Sequence, residues 1–375
     1  MPRPYADLDP SPRLLLGPGP SLVPARVLRA MTTPLVGHLD PDFLAIMTEV
    51  QELLRFVFQT RNPFTLAVPG TGTSGMEAAL CNLIQPGDRV LACIHGFFGD
   101  RMAEIADRCG AEVERLERPW GEVFDPDQIA SRLKAASFHL VTLVHAETST
   151  GAWQPDINAI ASACHAQGAL LVLDCVTSLG GLPVEIDAWE VDAAYGASQK
   201  CLSAPPGLAP ITLGPRAEKV LAQRKGPVPS FYLDLTLLRR YWSDKPAYHH
   251  TAPISTMYAL REALRLVDEE GLQARFDRHR ANASLLWDGL EALGLPPLMP
   301  NGLRLPTLTT PRLPPGCDDP GIRASLLKQY NIEIAGGFGQ LAGKIWRIGL
   351  MGFSSRRENV RLLLAALGDL LSSRK

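Results

Sequence analysis

Apolar residues along this chain follow two rhythms in turn. Between Asp42 and Gln59, Phe43, Ile46, Met47, Val50, Leu53, Leu54 and Val57 recur at three- and four-residue spacing, which is one face of an amphipathic helix. Residues 64–69 then read as a short extended segment, and a helix is predicted from about 76 to 84. Strands and helices alternate beyond it: strand 89–94, helix 98–109, strand 112–116, helix 126–135, strand 140–145, helix 157–167, then strands 170–174 and 193–195. That alternation predicts an α/β fold with a wound, mostly parallel sheet. From about Ser255 the texture changes. Helices 255–269 and 272–293 are followed by short strands such as 307–310, set between Pro296-Pro297 and Pro314-Pro315, and helices 320–329 and 357–371 enclose 344–350. The expected division is an N-terminal arm (1–21), a large domain (22–270) and a smaller C-terminal α+β domain (271–375).

Charge narrows the function classes. The chain has 375 residues with 37 Lys+Arg against 39 Asp+Glu, and no basic stripe of the kind a nucleic-acid surface needs. Its seven cysteines are scattered and form no CxxC pair, which argues for a reducing compartment and against a zinc ribbon or a disulfide framework. The Pro-rich start lacks the apolar centre of a signal peptide, no run approaches a membrane span, and Ser372-Ser373-Arg374-Lys375 is not a peroxisomal address. The expectation is a soluble cytoplasmic protein without nucleic-acid or membrane partners.

Three stretches carry candidate chemistry. Gly70-Thr71-Gly72-Thr73-Ser74-Gly75 precedes a helix, where backbone N–H groups and the helix dipole can hold an anion, with hydroxyls from Thr71, Thr73 and Ser74. Leu170-Leu171-Val172-Leu173 ends in Asp174, and a second apolar run leads to Lys200, 26 residues later. A strand, a connection and a second strand fit that interval, so a carboxylate and an amine can reach one edge of the sheet, where open α/β sheets bind ligands. Lys200 then reads as a Schiff-base lysine and Asp174 as the group that sets the cofactor's electronics. The plain alternative is a surface lysine and a strand-capping aspartate.

Gly70, Gly72 and Gly75 also spell GxGxxG. A dinucleotide site would want a carboxylate ending the next strand, but that strand ends Cys93-Ile94-His95. His145-Ala146-Glu147 has the HxE spacing of zinc deaminases without their PCxxC partner. His249 and His250 are adjacent; in a strand they would face opposite sides and could not share a metal. Ser198 and Cys201 flank Lys200 without a histidine partner, and Cys175 reads as a packed thiol. Pyridoxal phosphate satisfies the anion cup, the carboxylate and the lysine together, because it has a phosphate, a pyridine nitrogen and an aldehyde.

The chain resembles the class V, fold type I aminotransferases, specifically the alanine–glyoxylate and serine–glyoxylate (serine–pyruvate) group. The likeness runs from Gly17-Pro18-Gly19-Pro20-Ser21 to Trp346-Arg347-Ile348-Gly349-Leu350-Met351-Gly352. Between them it includes residues 58–63, Gly70-Thr71-Gly72-Thr73, His145 to Gly151, Asp174 to Gly181, Ser198-Gln199-Lys200 and Tyr248-His249-His250-Thr251. The resemblance implies fold type I and a ping-pong transaminase. The amino group of alanine or serine would pass to glyoxylate, giving glycine and pyruvate or hydroxypyruvate. It implies that Lys200 binds the cofactor aldehyde and shuttles the proton, and that Asp174 pairs with the pyridinium nitrogen. Thr71, Gly72, Thr73 and Gln199 would hold the phosphate. Thr148 would donate to the ring oxygen and lie beside the substrate, and Phe98 would stack on the ring. Arg347 would clamp the substrate carboxylate, with Gly19 and Gly37 keeping the pocket narrow. Tyr248 and Thr251 would reach the other subunit's phosphate, making a homodimer obligatory. Serine–pyruvate and ureidoglycine–glyoxylate transamination are the alternatives, followed by a fold-sharing pyridoxal-phosphate lyase.

Overall fold

The computed structural model describes residues 7–372. The first six residues of the Pro-rich start and the last three of the chain, on which the reading of both chain ends leans, lie outside the described residues. The centre is a seven-stranded sheet of β1 (Phe64–Pro69), β2 (Arg89–Ile94), β3 (Glu112–Glu117), β4 (Leu140–Val144), β5 (Leu170–Asp174), β6 (Ala193–Tyr195) and β7 (Leu208–Leu213), in the order β1-β7-β6-β5-β4-β2-β3. Neighbours from β3 to β6 pair in parallel, while β7 lies antiparallel to both β6 and β1. Strands β4 to β7 are buried along their whole length, so their sequences are mostly apolar runs rather than alternating ones, broken only by Thr142, Asp174 and Thr212. The edge strand β3 carries Glu112, Glu114, Arg115 and Glu117, and charges of this kind keep an edge from pairing with other chains.

The sequence pattern missed β7, because Pro210 interrupts its strand signal. Proline cannot donate to a ladder, but here the sheet uses its carbonyl, which accepts from the Gly196 N–H at 2.8 Å. The short helices Ala25–Ala30, Pro215–Ala222 and Leu235–Tyr241 were also missed. Helix α1 (Pro41–Phe58) starts as expected: the Asp40 side chain accepts from the Asp42 N–H at 2.9 Å, and Pro41 opens the first turn. Helix α2 runs Gly72–Leu83, four residues earlier than predicted, so the glycines of the expected loop form its first turn. Helix α3 is Phe97–Arg108, and α4 (Ile254–Glu270) meets α5 (Leu272–Ala292) at Gly271.

Buried apolar side chains form two main clusters. One draws on residues from Val27 to Val267 around the large sheet; the other combines Leu16 with residues from Leu286 to Leu370. The segment expected as an arm therefore belongs to the second cluster. Leu14–Leu15 pairs in parallel with Ile332–Glu333, the Leu16 N–H donates to Glu333 O at 2.9 Å, and Leu16 O accepts from Gly349 N at 2.8 Å. Three residues further on, the same segment passes over Lys200.

Leu16 is fully buried and Leu8 is 96% exposed. Leu16→Ala is expected to cost about 3 kcal/mol, the usual range for emptying a core leucine site, whereas Leu8→Ala should leave the thermal midpoint unchanged. Calorimetry on the two variants checks the pair.

Candidate active site

Each chemically interesting segment leaves the carboxyl end of a parallel strand. Gly70 follows β1, Gly96 follows β2, His145 to Gly151 follows β4, Asp174 closes β5, and the turn ending at Lys200 follows β6. Sheet register sets the first contact. Asp174 stands beside Tyr195 on one side and Val144 on the other, and neighbours in register point to the same face.

Asp174 is buried. Its Oδ1 accepts from the Val176 N–H and its Oδ2 from the Tyr195 hydroxyl, both at 2.8 Å. Burial pushes its carboxyl up to about 6; the Glu147 charge pushes the same way, while the two hydrogen bonds and Lys200 oppose it. Lys200 is moved in the other direction, down to about 8, by burial, with Arg347 adding to the shift and Cys201 and Asp174 opposing it. Its Nζ donates to the carbonyl of Pro18. The backbone around it is tied to the same segment, since the Ser21 N–H donates to Gln199 O at 2.9 Å and Ser21 Oγ to Lys200 O at 2.8 Å. Asp174 and Lys200 feel each other's charge, yet no hydrogen bond or ion pair joins them.

Arg347, expected to meet the substrate carboxylate, is also firmly placed. Arg347 is buried on Trp346–Gly349, its Nε donates to Gly336 O at 2.8 Å, and its plane lies 3.7 Å from the centre of the Phe338 ring. Among the described residues its two terminal amino groups have no acceptor, so the fork is available to a carboxylate. Burial draws its pKa down to about 10. Phe338 meets Phe97 (5.0 Å between centroids), which meets Phe98 (5.6 Å). Arg101 covers Phe97 and Phe98 and donates to Thr73 Oγ1 at 3.3 Å, linking the ring cluster to the first turn of α2.

Glu147 joins two of the expected cofactor contacts. Its Oε2 accepts from the N–H groups of Phe98 (3.2 Å) and Gly99 (3.4 Å), capping α3, and its Oε1 accepts from the N–H and hydroxyl of Ser149 at 3.0 and 2.6 Å. One buried carboxylate thus fixes Phe98 and the loop that carries Thr148. Thr148 Oγ1 is bonded to Thr177 Oγ1. The spacing that resembled a zinc site serves this purpose instead. His145 is neutral and buried, its pKa held down to about 3 by burial, with Nδ1 on Ser178 Oγ at 2.9 Å and Nε2 accepting from Trp153 at 3.0 Å. No group of three metal-ligating side chains exists among the described residues. The adjacent histidines require a correction. His249 and His250 are not in a strand and do not face apart; their Nδ1 atoms meet at 2.8 Å.

Three named positions lie away from this cluster. Tyr248 is 62% exposed, its ring 5.2 Å from that of His38; Thr251 is exposed; and exposed Gly37 has only Asp40 within reach of an added Cβ. Gly37, His38 and Tyr248 make a patch of their own. Sequence reasoning also missed Tyr195, Val176, Glu147, Pro18 and Phe338 as site residues, because their roles depend on sheet register and long-range packing. Only Glu147, an acid among Ser and Thr next to an apolar strand, gave a signal that could have been followed.

The residues fit pyridoxal phosphate. The first turn of α2 has an N-cap, Thr71, whose side chain makes no capping bond, leaving the Gly72 and Thr73 amides for an anion. The Gln199 side chain has an unpartnered buried Oε1, and it is the amide's donor end that could meet a phosphate. A Cβ on Gly72 would come within 3.0 Å of Val176 and 3.1 Å of Ala197, and one on Gly19 (φ +114°) within 2.7 Å of Lys200 Nζ, so both positions keep the cleft open.

The family profile described as "Aminotransferase class-V" matches residues 13–350. The (S)-ureidoglycine–glyoxylate transaminase of Bacillus subtilis is 45% identical over 96% of this chain and 90% of its own. The alanine–glyoxylate aminotransferase of Callithrix jacchus is 40% identical over 96% of this chain and 87% of its own. The crystal structure of the alanine–glyoxylate aminotransferase from Nostoc sp. superposes with a TM-score of 0.97, at 49% identity and covering 98% of each chain.

Asp174 keeps its proton to about 6 in the fold, against 3.8 ordinarily, so between those values the folded chain binds more protons than the unfolded one and loses stability as pH rises. Asp174→Asn removes that cost while leaving both hydrogen bonds possible. The cofactor-free variant should be more stable than the parent by about 3 kcal/mol at neutral pH, the gain vanishing toward about pH 4. Denaturant titrations at both pH values check this; a variant less stable at neutral pH contradicts it.

Proposed function

The chain belongs to the class V aminotransferases, and from that premise we propose that it is a pyridoxal-phosphate transaminase that moves the amino group of alanine or serine to glyoxylate. The products are glycine and pyruvate or hydroxypyruvate, formed in two half-reactions on one site. The observation that carries the reading is the meeting of a half-buried amine and a buried carboxylate that it does not touch, at the carboxyl edge of the large sheet, with an arginine from the C-terminal strand whose charge reaches the amine and whose fork is unclaimed. The cofactor, when bound, supplies an aldehyde that takes up the amino group and a ring that spreads charge from the donor's α-carbon.

This chain's residues do the rest. The first turn of α2 (Thr71, Gly72, Thr73) and Gln199 hold the phosphate. Asp174 would keep the ring nitrogen protonated, Thr148 would donate to the ring oxygen, and Phe98 would pack against the ring. Arg347 binds the donor carboxylate through two parallel N–H···O bonds, its plane fixed by Phe338. Lys200, with a proton affinity lowered toward neutrality, takes the proton from the α-carbon and returns it on the other side of the exchange. Gly19 lets the backbone run close to Lys200, where even a methyl on its Cα would meet the amine, so the pocket wall beside the donor is main chain.

Tyr248 and Thr251 are exposed on the chain's surface, which supports their serving the phosphate of a second copy in a homodimer, with Gly37 exposed near Tyr248's neighbour His38. The two apolar clusters support a large domain of 22–270 and a small one of 271–375, the arm packing with the latter. A cytoplasmic location suits seven thiols, five of them buried; among the described residues no helix is long and apolar enough to cross a membrane. A second reading, with ureidoglycine as donor, is supported by the 45% identity to the Bacillus subtilis enzyme.

Steady-state rates with alanine, serine and ureidoglycine as donors, and glyoxylate or pyruvate as acceptor, decide among these. The expected result is turnover of alanine or serine with glyoxylate, falling about 10³-fold or more in Lys200→Ala, the scale of lost general acid–base catalysis. Parent-level turnover in Lys200→Ala would refute the assignment.

A further inference from the structure

Asp174 is the one carboxylate that the proposed chemistry needs ionised, and it sits where ionisation is costly. The groups facing it come from several elements. Tyr195 on β6 and the Val176 amide donate to it, Lys200 lies within electrostatic range, and the Glu147 charge on the loop after β4 opposes it. Cys175, next in the chain, is held as a neutral thiol by burial. Only two of these are direct hydrogen-bond donors, and only one is a side chain. We infer that Tyr195 is a positioning residue for the reaction: by donating to Asp174 Oδ2 it keeps that carboxylate ionised and aimed at the cofactor's ring nitrogen. The inference rests on the cofactor reading given above.

Three features make the contact a built one. Asp174 and Tyr195 are register partners across β5 and β6, and the Cys175 N–H donates to Tyr195 O at 2.9 Å, so the two backbones are locked at this point. Tyr195 is fully buried, and its place against α2 depends on a glycine, because a Cβ on Gly75 would meet Tyr195 at 3.2 Å. Burial and the neighbouring Asp174 raise the phenol well above its ordinary value, so it remains a donor wherever Asp174 titrates. A tyrosine here is a one-way donor: it can stabilise the ionised acid without competing for the ring proton.

The consequence has a definite sign. Losing the Tyr195 hydroxyl removes an influence that lowers the Asp174 pKa, so Asp174 protonates at higher pH. A neutral acid holds the ring nitrogen less well. Tyr195→Phe should therefore raise the dissociation constant for pyridoxal phosphate about tenfold or more, the scale of a hydrogen bond to a charged group. It should also move the acid limb of kcat/KM upward by about one pH unit.

The test is a double-mutant cycle of Tyr195→Phe and Asp174→Asn, read by cofactor titration of the apoprotein, by the pH profile, and by the carboxyl titration of Asp174 itself. That titration is followed by NMR on 13C-aspartate-labelled apoprotein, with Asp174→Asn identifying the signal. The expected result is an upward shift of the Asp174 titration in Tyr195→Phe, weaker cofactor binding, and no further loss when the change is made in the Asp174→Asn background. An equal loss in both backgrounds, or an unmoved Asp174 titration, would overturn the inference. A parent apoprotein that takes up no pyridoxal phosphate would instead overturn the cofactor reading, while the titration shift still reports on the Tyr195–Asp174 contact.

Discussion

Placing a buried acid and a half-buried amine at one sheet edge, without letting them pair, is the constraint that the rest of the site answers to. In water a neighbouring carboxylate and ammonium would close into an ion pair. Here burial moves each toward its neutral form, Asp174 up to about 6 and Lys200 down to about 8. Both stay within reach of a proton exchange near neutrality, and each is held off the other by its own donor or acceptor. Tyr195 and the Val176 amide occupy Asp174, and the Pro18 carbonyl occupies Lys200. The cost of keeping two charged groups unpaired falls on the cofactor-free chain, and a ligand bearing a cationic nitrogen and an electrophilic carbon relieves it at both ends.

The surrounding structure holds that geometry by links between distant segments. The N-terminal stretch pairs with Ile332–Glu333, inserts Leu16 among the C-terminal side chains and then lays Pro18 and Gly19 against Lys200. The strand carrying Arg347 bonds to the same stretch through Gly349 and Leu16. Placement of Arg347 and of Lys200 is therefore mechanically coupled. Glu147 does a similar job on the other flank, joining the N-terminus of α3 to the loop that bears Thr148 through four donated hydrogen bonds. Replacing any of these ties would disturb the site without touching a reacting group.

Much of this is legible in the sequence. Strand ends at Asp174, and a single lysine soon after the next strand, could be read because parallel strands are short apolar runs with polar stops, and ligands gather at their carboxyl ends. What stayed hidden depends on register and on contacts far apart in sequence. Nothing in the alternation of residues says that Tyr195 stands beside Asp174, or that Leu14–Leu15 pairs with a strand more than 300 residues away. Strand β7 hid behind Pro210, whose missing donor is harmless only because its carbonyl is the group used. His249 and His250 misled because an extended segment was assumed where the chain bends. His145-Ala146-Glu147 misled because spacing alone cannot tell a metal ligand from a helix cap.

The central claim is that one amine, Lys200, is the covalent anchor. It is tested most directly by treating the purified, cofactor-loaded protein with sodium borohydride and mapping its peptides by mass spectrometry. The account predicts a reduced pyridoxyl adduct on the peptide containing Lys200, with loss of activity in proportion to labelling. An adduct confined to another lysine, or full activity with Lys200 labelled, would contradict it.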